Sequence, residues 1–240
     1  MKHITGIVLA AGKGSRMKME TPKQFLEIGH KPLLYYSLKA FEESRVDDII
    51  LVTNEEYREY CLQDIIEKYH IRKVKRIITG GTERYWSVWN GLEQCKETDY
   101  VLIHDAARPC ITSKIIEESI SEVMKSGACT VGVPVKDTIK VVDENREGIG
   151  TPPRERLWQV QTPQSFAYED IVAAYEKMRI SGDTDITDDT MIVERYIDKK
   201  IRIIMGDYCN IKVTTPEDLM VAEIFLKKMK KVVDTDGSWC

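Results

Sequence analysis

Residues 4–17 read Ile4-Thr5-Gly6-Ile7-Val8-Leu9-Ala10-Ala11-Gly12-Lys13-Gly14-Ser15-Arg16-Met17. The first seven form an apolar, β-prone run of strand length, and a glycine-rich basic turn follows at once. Such a turn after a strand lets backbone N–H groups approach phosphate oxygens; a plain glycine turn with solvated lysines is the alternative. No Gly-Lys-Ser/Thr ending follows, so this is not a Walker A loop. Met17 stands where a dinucleotide fingerprint needs its third glycine.

Outward from that stretch, apolar runs alternate with amphipathic ones. Strands are expected at Ile4–Ala10, Asp48–Thr53, Val74–Thr79, 100–104, 129–135 and 200–205. Helices are expected at 32–41, 55–69, 84–95, 113–125, 168–179, 188–196 and 216–231, the last capped by Thr215 with Asp218 three positions on. Near-continuous apolar strands separated by helices predict an α/β fold with a mostly parallel sheet covered on both faces. The alternation breaks at residues 136–159. There two short strands, 139–142 and 156–160, flank a polar tract with Pro152 and Pro153, which reads as a projecting β-hairpin arm or a surface loop. Residues 234–240 are expected to fray.

Composition narrows the class. The chain has 240 residues, and at about 150 residues per domain we expect a single domain, 1–240, with the arm at about 136–160. Lysine and arginine total 35 against 39 acidic residues, a net charge of −4, which excludes a globally basic nucleic-acid coat. No apolar run reaches the roughly 18 residues of a membrane span. The glycine turn follows the first apolar run too closely for a targeting peptide, so the expected location is cytoplasmic. The six cysteines contain no CxxC and the four histidines are scattered, so neither a disulfide framework nor a structural zinc site is expected.

Further segments carry chemistry. Lys23, in Pro22-Lys23-Gln24-Phe25, is a point charge that a polyphosphate would attract. Gly80-Gly81-Thr82-Glu83-Arg84, with Ser87, offers N–H donors at a helix start, or else a tight turn capped by Thr82. His104-Asp105-Ala106-Ala107-Arg108-Pro109 ends a strand, where ligands bind in open α/β sheets. Asp105 suits Mg²⁺, which takes one or two carboxylates plus substrate phosphates, whereas His104 reads as a packed structural residue. Lys136 to Lys140, Arg154 to Trp158 and Gln161 to Gln164 flank the arm, as a solvated hairpin or a grip on a second anion. Lys212, in Asn210-Ile211-Lys212-Val213-Thr214, either snorkels or faces the site. No GxSxG elbow or Cys–His pair is suggested, and the cations suit electrostatic catalysis of transfer at phosphorus.

In order and spacing, from about residue 4 to about residue 226, these segments resemble the 2-C-methyl-D-erythritol 4-phosphate cytidylyltransferases. The resemblance implies a Rossmann-like nucleotidyltransferase fold of the glycosyltransferase-A type. It implies that CTP and methylerythritol phosphate give CDP-methylerythritol and pyrophosphate with Mg²⁺ or another divalent cation, a step of the non-mevalonate isoprenoid pathway. It also implies a homodimer of embracing arms. By the same resemblance Arg16 and Lys23 would be catalytic, stabilising charge on the triphosphate. Ala10, Ala11, Gly12, Gly14, Gly81 and Ser87 would hold the nucleotide, and Asp105 would contact the metal. Arg154 and Lys212 would position the acceptor, with Arg108 and Thr138 reaching across the dimer and Thr162 and Thr187 lining the acceptor pocket. Tyr85 and Trp86 depart from the small or polar residues usual there, and Cys209 from a frequent acidic residue.

Two rival functions differ at identifiable positions. Ribitol 5-phosphate cytidylyltransferases tend to carry serine and valine before the arginine of the 104–109 segment, so Ala106 and Ala107 favour methylerythritol phosphate. A non-catalytic nucleotide-binding protein on this fold would have lost Arg16, Lys23 or Asp105, and all three are present. Nucleic acid is disfavoured because the cations gather at strand ends rather than along one face.

Overall fold

The structure, a computed structural model, describes residues 2–12 and 21–236, with side chains through Met229. Strand β1 (Ile4–Ala10) lies inside a seven-stranded sheet of order β11-β7-β10-β6-β1-β4-β5. The others are β4 (Asp48–Thr53), β5 (Val74–Thr79), β6 (Tyr100–Asp105), β7 (Ala128–Pro134), β10 (Trp158–Ala167) and β11 (Arg202–Met205). Strands β1, β4, β5 and β6 run parallel, whereas β10 is antiparallel to both β6 and β7. The chain leaves β1 for β4 and β5 on one side, then returns as β6 on the other. That reversal creates a crevice beyond the carboxyl ends of β1 and β6, where α/β folds place ligands.

The apolar strands are buried on both faces, with a period of two. Val8, Ile49, Leu51 and Leu102 enter one core layer; Ile7, Ile50, Val52, Val101 and Ile103 enter the other. The first layer meets helices α1 (Leu33–Glu42) and α4 (Ser113–Ser126) through Leu34, Leu38, Phe41, Ile116 and Ile120. The second meets α3 (Arg84–Leu92), α5 (Tyr168–Ser181) and α6 (Asp189–Ile197) through Val88, Leu92, Tyr175 and Ile192. A smaller cluster of Ile28, Leu33, Cys110, Val213 and Leu226 seats α7 (Pro216–Asp236). Helix α4 starts where the Thr112 side chain accepts from the Ile115 N–H and stops at Gly127, whose φ of 76° suits glycine. At α7 the Asp218 carboxylate accepts from the N–H groups of Thr214 and Thr215, at 2.8 and 2.9 Å, and Pro216 opens the helix.

Three expectations need correction. The 55–69 region is a 3₁₀ turn (Glu55–Tyr57), one α-turn α2 (Arg58–Tyr60) and a π-helical segment (Cys61–Glu67). A hairpin absent from the sequence reading, β2 (Glu27–Ile28) with β3 (Lys31–Pro32), precedes α1; Gly29 and His30, with φ of 57° and 61°, make its two-residue turn. The paired part of the arm is shorter than the expected 136–160. Strand β8 (Val141–Val142) pairs with β9 (Gly148–Gly150), because Asp143 Oδ1 accepts from the N–H groups of Asn145 and Glu147 and turns the chain at once. Residues 156–160, expected as the second arm strand, lead instead into β10 within the main sheet. That strand tolerates Pro163 because its register against β7 shifts between Val160 and Gln164. No described helix is long and apolar enough to cross a membrane.

Phe41 is fully buried, with its ring against the backbone of Gly6 and beside the His104 ring. Phe41→Ala is expected to lower the unfolding free energy by about 3–5 kcal/mol in a urea titration. A loss under about 1 kcal/mol would contradict this packing of α1 on the sheet.

Candidate active site

The register of β1 against β6 sets Leu9 level with Asp105, and against β4 it sets Ala10 level with Thr53. The loops leaving these strands therefore meet at one end of the sheet. The Ala106 N–H donates to the Leu9 carbonyl (2.9 Å) and the Gly80 N–H to the Thr53 carbonyl (2.8 Å). Buried Gln24 donates its amide to the Ala10 carbonyl (2.6 Å) and reaches the Gly12 carbonyl (3.3 Å). That bond ties the 3₁₀ turn Lys23–Phe25 to the end of β1. It also fixes the neighbouring Lys23, since Phe25 of the same 3₁₀ turn packs on Tyr57 and Tyr60.

Gly80 has no room for a side chain: a Cβ there would lie 2.4 Å from the Ala11 Cβ and 2.8 Å from Ser87 Oγ. The Gly81 N–H donates to Ser87 Oγ (3.0 Å), which in turn donates to the Glu83 carbonyl (3.2 Å). The two glycine segments thus close on each other and bound a cleft of about 330 Å³. Its lining includes Gly12, Lys23, Gly81, Ser87, Asp105 and Lys212. Helix α3 points its first turn here, and its N-cap residue Glu83 makes no side-chain cap, so Thr82 is not the cap. Tyr85 is buried and the partly buried Trp86 packs on the same core layer, and neither of these two departures lines the cleft.

The cleft's electrostatics centre on Asp105, whose side chain is only 10% exposed. Its Oδ2 lies 2.7 Å from Lys212 Nζ, and its Oδ1 accepts from Arg84 Nε at 3.1 Å. Burial alone would raise its pKa, but Arg84, Lys212 and Arg108 outweigh burial and hold the carboxyl well below the usual range. Arg84 also forms a two-pronged pair with Asp189, both bonds at 2.9 Å. Burial disfavours the Arg84 charge, yet Asp189 and Asp105 keep it fully protonated. Lys212 reaches the cleft because the Val213 N–H donates to the Ala107 carbonyl (2.8 Å) and buried Asn210 donates to the Thr162 carbonyl (3.0 Å). Of the two sequence alternatives for Lys212, it faces the site.

His104 is buried beside Asp105, with Nδ1 2.9 Å from Thr162 Oγ1, and burial pushes its pKa down to about 3. It is a neutral structural residue, as expected. Thr162, expected to line the acceptor pocket, is instead buried behind Asp105, accepting from the Asp105 N–H at 3.2 Å. Arg108, expected to reach across a dimer, turns into its own chain, donating to the Asn210 carbonyl (2.9 Å). With Tyr208, Gln161 and Lys212 it lines a second, more open depression of about 480 Å³. Lys212 belongs to both spaces. Arg154, Thr138 and Thr187 are exposed and line neither; Arg154 donates to the Lys136 carbonyl at 3.0 Å. Gly14 and Arg16 lie outside the described residues. Burial raises the thiol pKa of Cys61 to about 11 and of Cys95, Cys110 and Cys129 to about 12, and none of these four lines either space.

The sequence reading missed four participants: Gln24 as the loop anchor, Arg84 and Asp189 as a buried pair, and Gln164 behind them. Arg84 sat inside a quoted motif, but nothing in its spacing pointed to a carboxylate 105 positions away. Together the groups form a cleft lined by Lys23, Arg84 and Lys212 about the Asp105 carboxylate, with Glu83 at its rim and glycine backbone in its wall, a setting suited to a polyanionic ligand and to charge building up at phosphorus. Gly80→Ala is expected to force the two loops apart and lower stability by about 1–3 kcal/mol, read as a shifted unfolding midpoint. An unchanged midpoint would contradict the close approach.

Residues 4–228 match the family model described as 2-C-methyl-D-erythritol 4-phosphate cytidylyltransferase. The curated enzyme of that name from Lachnospira eligens is 52% identical, over 93% of this chain and 99% of its own length. The one from Caldanaerobacter subterraneus is 46% identical, over 94% of this chain and all of its own. Among solved structures, 4-diphosphocytidyl-2C-methyl-D-erythritol synthase of Anaerococcus prevotii superposes with a TM-score of 0.82 at 32% identity, covering 94% of this chain and 99% of its own. The cytidylyltransferase of Thermus thermophilus superposes at 0.75 with 26% identity, over 92% of this chain and 98% of its own. With a strand-end cleft of this chemistry and matches spanning nearly the whole chain, the protein belongs to the 2-C-methyl-D-erythritol 4-phosphate cytidylyltransferase family.

Proposed function

We propose that the chain acts as a single nucleotidyltransferase domain that converts CTP and 2-C-methyl-D-erythritol 4-phosphate into CDP-methylerythritol and pyrophosphate. The observation that carries this reading is Lys212, shared by the glycine-walled cleft and the Arg108 depression and held 2.7 Å from Asp105. One space suits a nucleotide and the other a phosphorylated polyol, with a cation at their junction. Backbone at Ala10, Ala11, Gly12 and Gly14, with Gly81 and Ser87, takes the base and ribose. Lys23, with Arg16 from the glycine loop, receives the triphosphate.

Arg108 and Lys212 draw the acceptor phosphate in, and Lys212 exchanges Asp105 for a phosphate oxygen. That oxygen attacks the α-phosphorus in line; the bond to the bridging oxygen of the β-phosphate breaks, and pyrophosphate leaves with the electron pair. Lys23, Arg16 and Lys212 stabilise the charge that develops. The donor set fits Mg²⁺, or another divalent cation, brought in by the nucleotide: Asp105 and Glu83 are the cleft's described carboxylates, and phosphate oxygens would supply further ligands. Such an ion, when bound, would neutralise phosphate charge and polarise the α-phosphoryl group.

The arm leaves Val141, Val142 and Ile149 exposed, at 46%, 50% and 66%, which favours a homodimer in which it clasps a second copy. Arg154 and Thr138, near its base, would then complete the partner's acceptor site; Thr187, also exposed, would approach the acceptor from its own chain. The substrates are small soluble phosphates, so the reading places the enzyme in the cytoplasm.

Pyrophosphate release with CTP and Mg²⁺ is expected with methylerythritol phosphate and not with ribitol 5-phosphate; the reverse would move the protein to polyol-phosphate activation. Lys23→Ala and Arg16→Ala are each expected to cut turnover by about 10²–10³ with the circular dichroism unchanged. Near-normal turnover in either would remove the electrostatic mechanism. Sedimentation is expected to give twice the 27.6 kDa monomer mass, and a monomer at micromolar concentration would contradict the role given to the arm.

A further inference from the structure

Arg84 meets Asp105 and Asp189 with three different nitrogens. Nε donates to Asp105 Oδ1, while Nη1 and Nη2 donate one each to the two oxygens of Asp189. Asp189 has no exposed side-chain surface and does not line the cleft. It is the first residue of α6, where the helix dipole favours an anion. Its Oδ1 also accepts from the Tyr175 hydroxyl at 2.7 Å. Its N–H donates to Gln164 Oε1 (2.9 Å), and the Gln164 amide donates to Asp188 Oδ2 (2.7 Å), the residue that caps α6. Besides Arg84, the groups that orient Asp189 therefore come from β10, α5 and α6. A planar guanidinium held on such a carboxylate by two parallel bonds has one orientation left, and that orientation presents Nε to Asp105.

We infer that Arg84 and Asp189 are positioning residues for the transfer reaction: their fork holds Asp105 by Oδ1 and leaves Oδ2 and Lys212 turned to the substrates. The inference rests on the proposed roles of Asp105 and Lys212. Without the fork, Asp105 has Lys212 as its remaining close cationic partner, and the lysine is withdrawn from the acceptor phosphate. Two carboxylates and two cations balance in the present arrangement, and loss of Arg84 leaves Asp189 as a buried unpaired anion. The same fork ties the start of α6, just after Thr187, to the cleft wall.

The test compares Arg84→Lys, Arg84→Ala, Asp189→Asn and the milder Tyr175→Phe with Asp105→Asn. Arg84→Lys and Asp189→Asn are expected to lower kcat by about 10–100-fold per folded molecule, as loss of an orienting partner does, with KM for CTP little changed. Millimolar guanidinium is expected to restore part of the kcat of Arg84→Ala. A crystal structure of Asp189→Asn is expected to show Asp105 moved off Arg84 Nε. A purely structural role predicts a lower melting temperature with wild-type kcat per folded molecule and no rescue, and that result overturns the inference. Should Arg84→Ala not fold, Arg84→Lys and Tyr175→Phe decide by the same kcat measurement. Asp105→Asn separates the two levels. Full turnover in that variant defeats the role given to Asp105. Lost turnover there, with wild-type kcat in Arg84→Lys and Asp189→Asn, defeats the positioning inference alone.

Discussion

The Asp105 carboxylate, buried between Arg84 and Lys212, is the interaction on which the rest of the site depends. A carboxylate taken this far out of water survives as an anion only if it is paired. Its two partners come from opposite directions. Arg84 opens α3 and is held from behind by α6; Lys212 follows β11 and is brought in by the Asn210 and Val213 bonds. Each partner requires a different part of the chain to be folded, so the charged centre joins the start of α3 and α6 to the segment after β11.

The sheet order explains why that centre lies where it does. Reversal of strand order between β4–β1 and β6 opens the crevice, and the parallel registers bring the ends of β1, β4 and β6 level. The loops then need to approach without filling the opening. Gly80 against Ala11 provides the approach, and Gln24 bonds the Ala10 carbonyl at the end of β1. The antiparallel β10, inserted between β6 and β7, adds Thr162 beneath Asp105 and Gln164 beneath Asp189. This one strand supports both anions of the charged centre.

Much of this was legible in the sequence. The bounds of β1 and β4 follow directly from apolar runs bounded by turn residues, since strands buried on both faces leave an uninterrupted signal, and the edge strand β5 shows in its β-branched Val74, Ile77, Ile78 and Thr79. Glycine pairs and the strand-end Asp105 marked the cleft, and Lys212 was suspect for its apolar neighbours. Other features left weaker traces. Strand β10 contains Pro163 and polar Gln161 and Gln164, so its part beyond Val160 was not read as a strand; its pairing depends on a register shift that local pattern does not encode. The arm was read too long because the apolar run entering β10 resembled a return strand. Asp189 lies in the acidic stretch from Asp183 to Asp189, where nothing local tells the buried carboxylate from the solvated ones. That distinction is made by Tyr175, Gln164 and Arg84, all remote in sequence.

In the proposed mechanism Lys212 stays on Asp105 until a substrate phosphate replaces it. A crystal structure with CTP and the acceptor polyol phosphate tests this most directly. The triphosphate is expected beside Lys23 in the glycine-walled cleft, with Lys212 Nζ bonded to a phosphate oxygen and Asp105 still held by Arg84. Phosphates bound elsewhere, or Lys212 still paired with Asp105 while both substrates occupy their spaces, would contradict it.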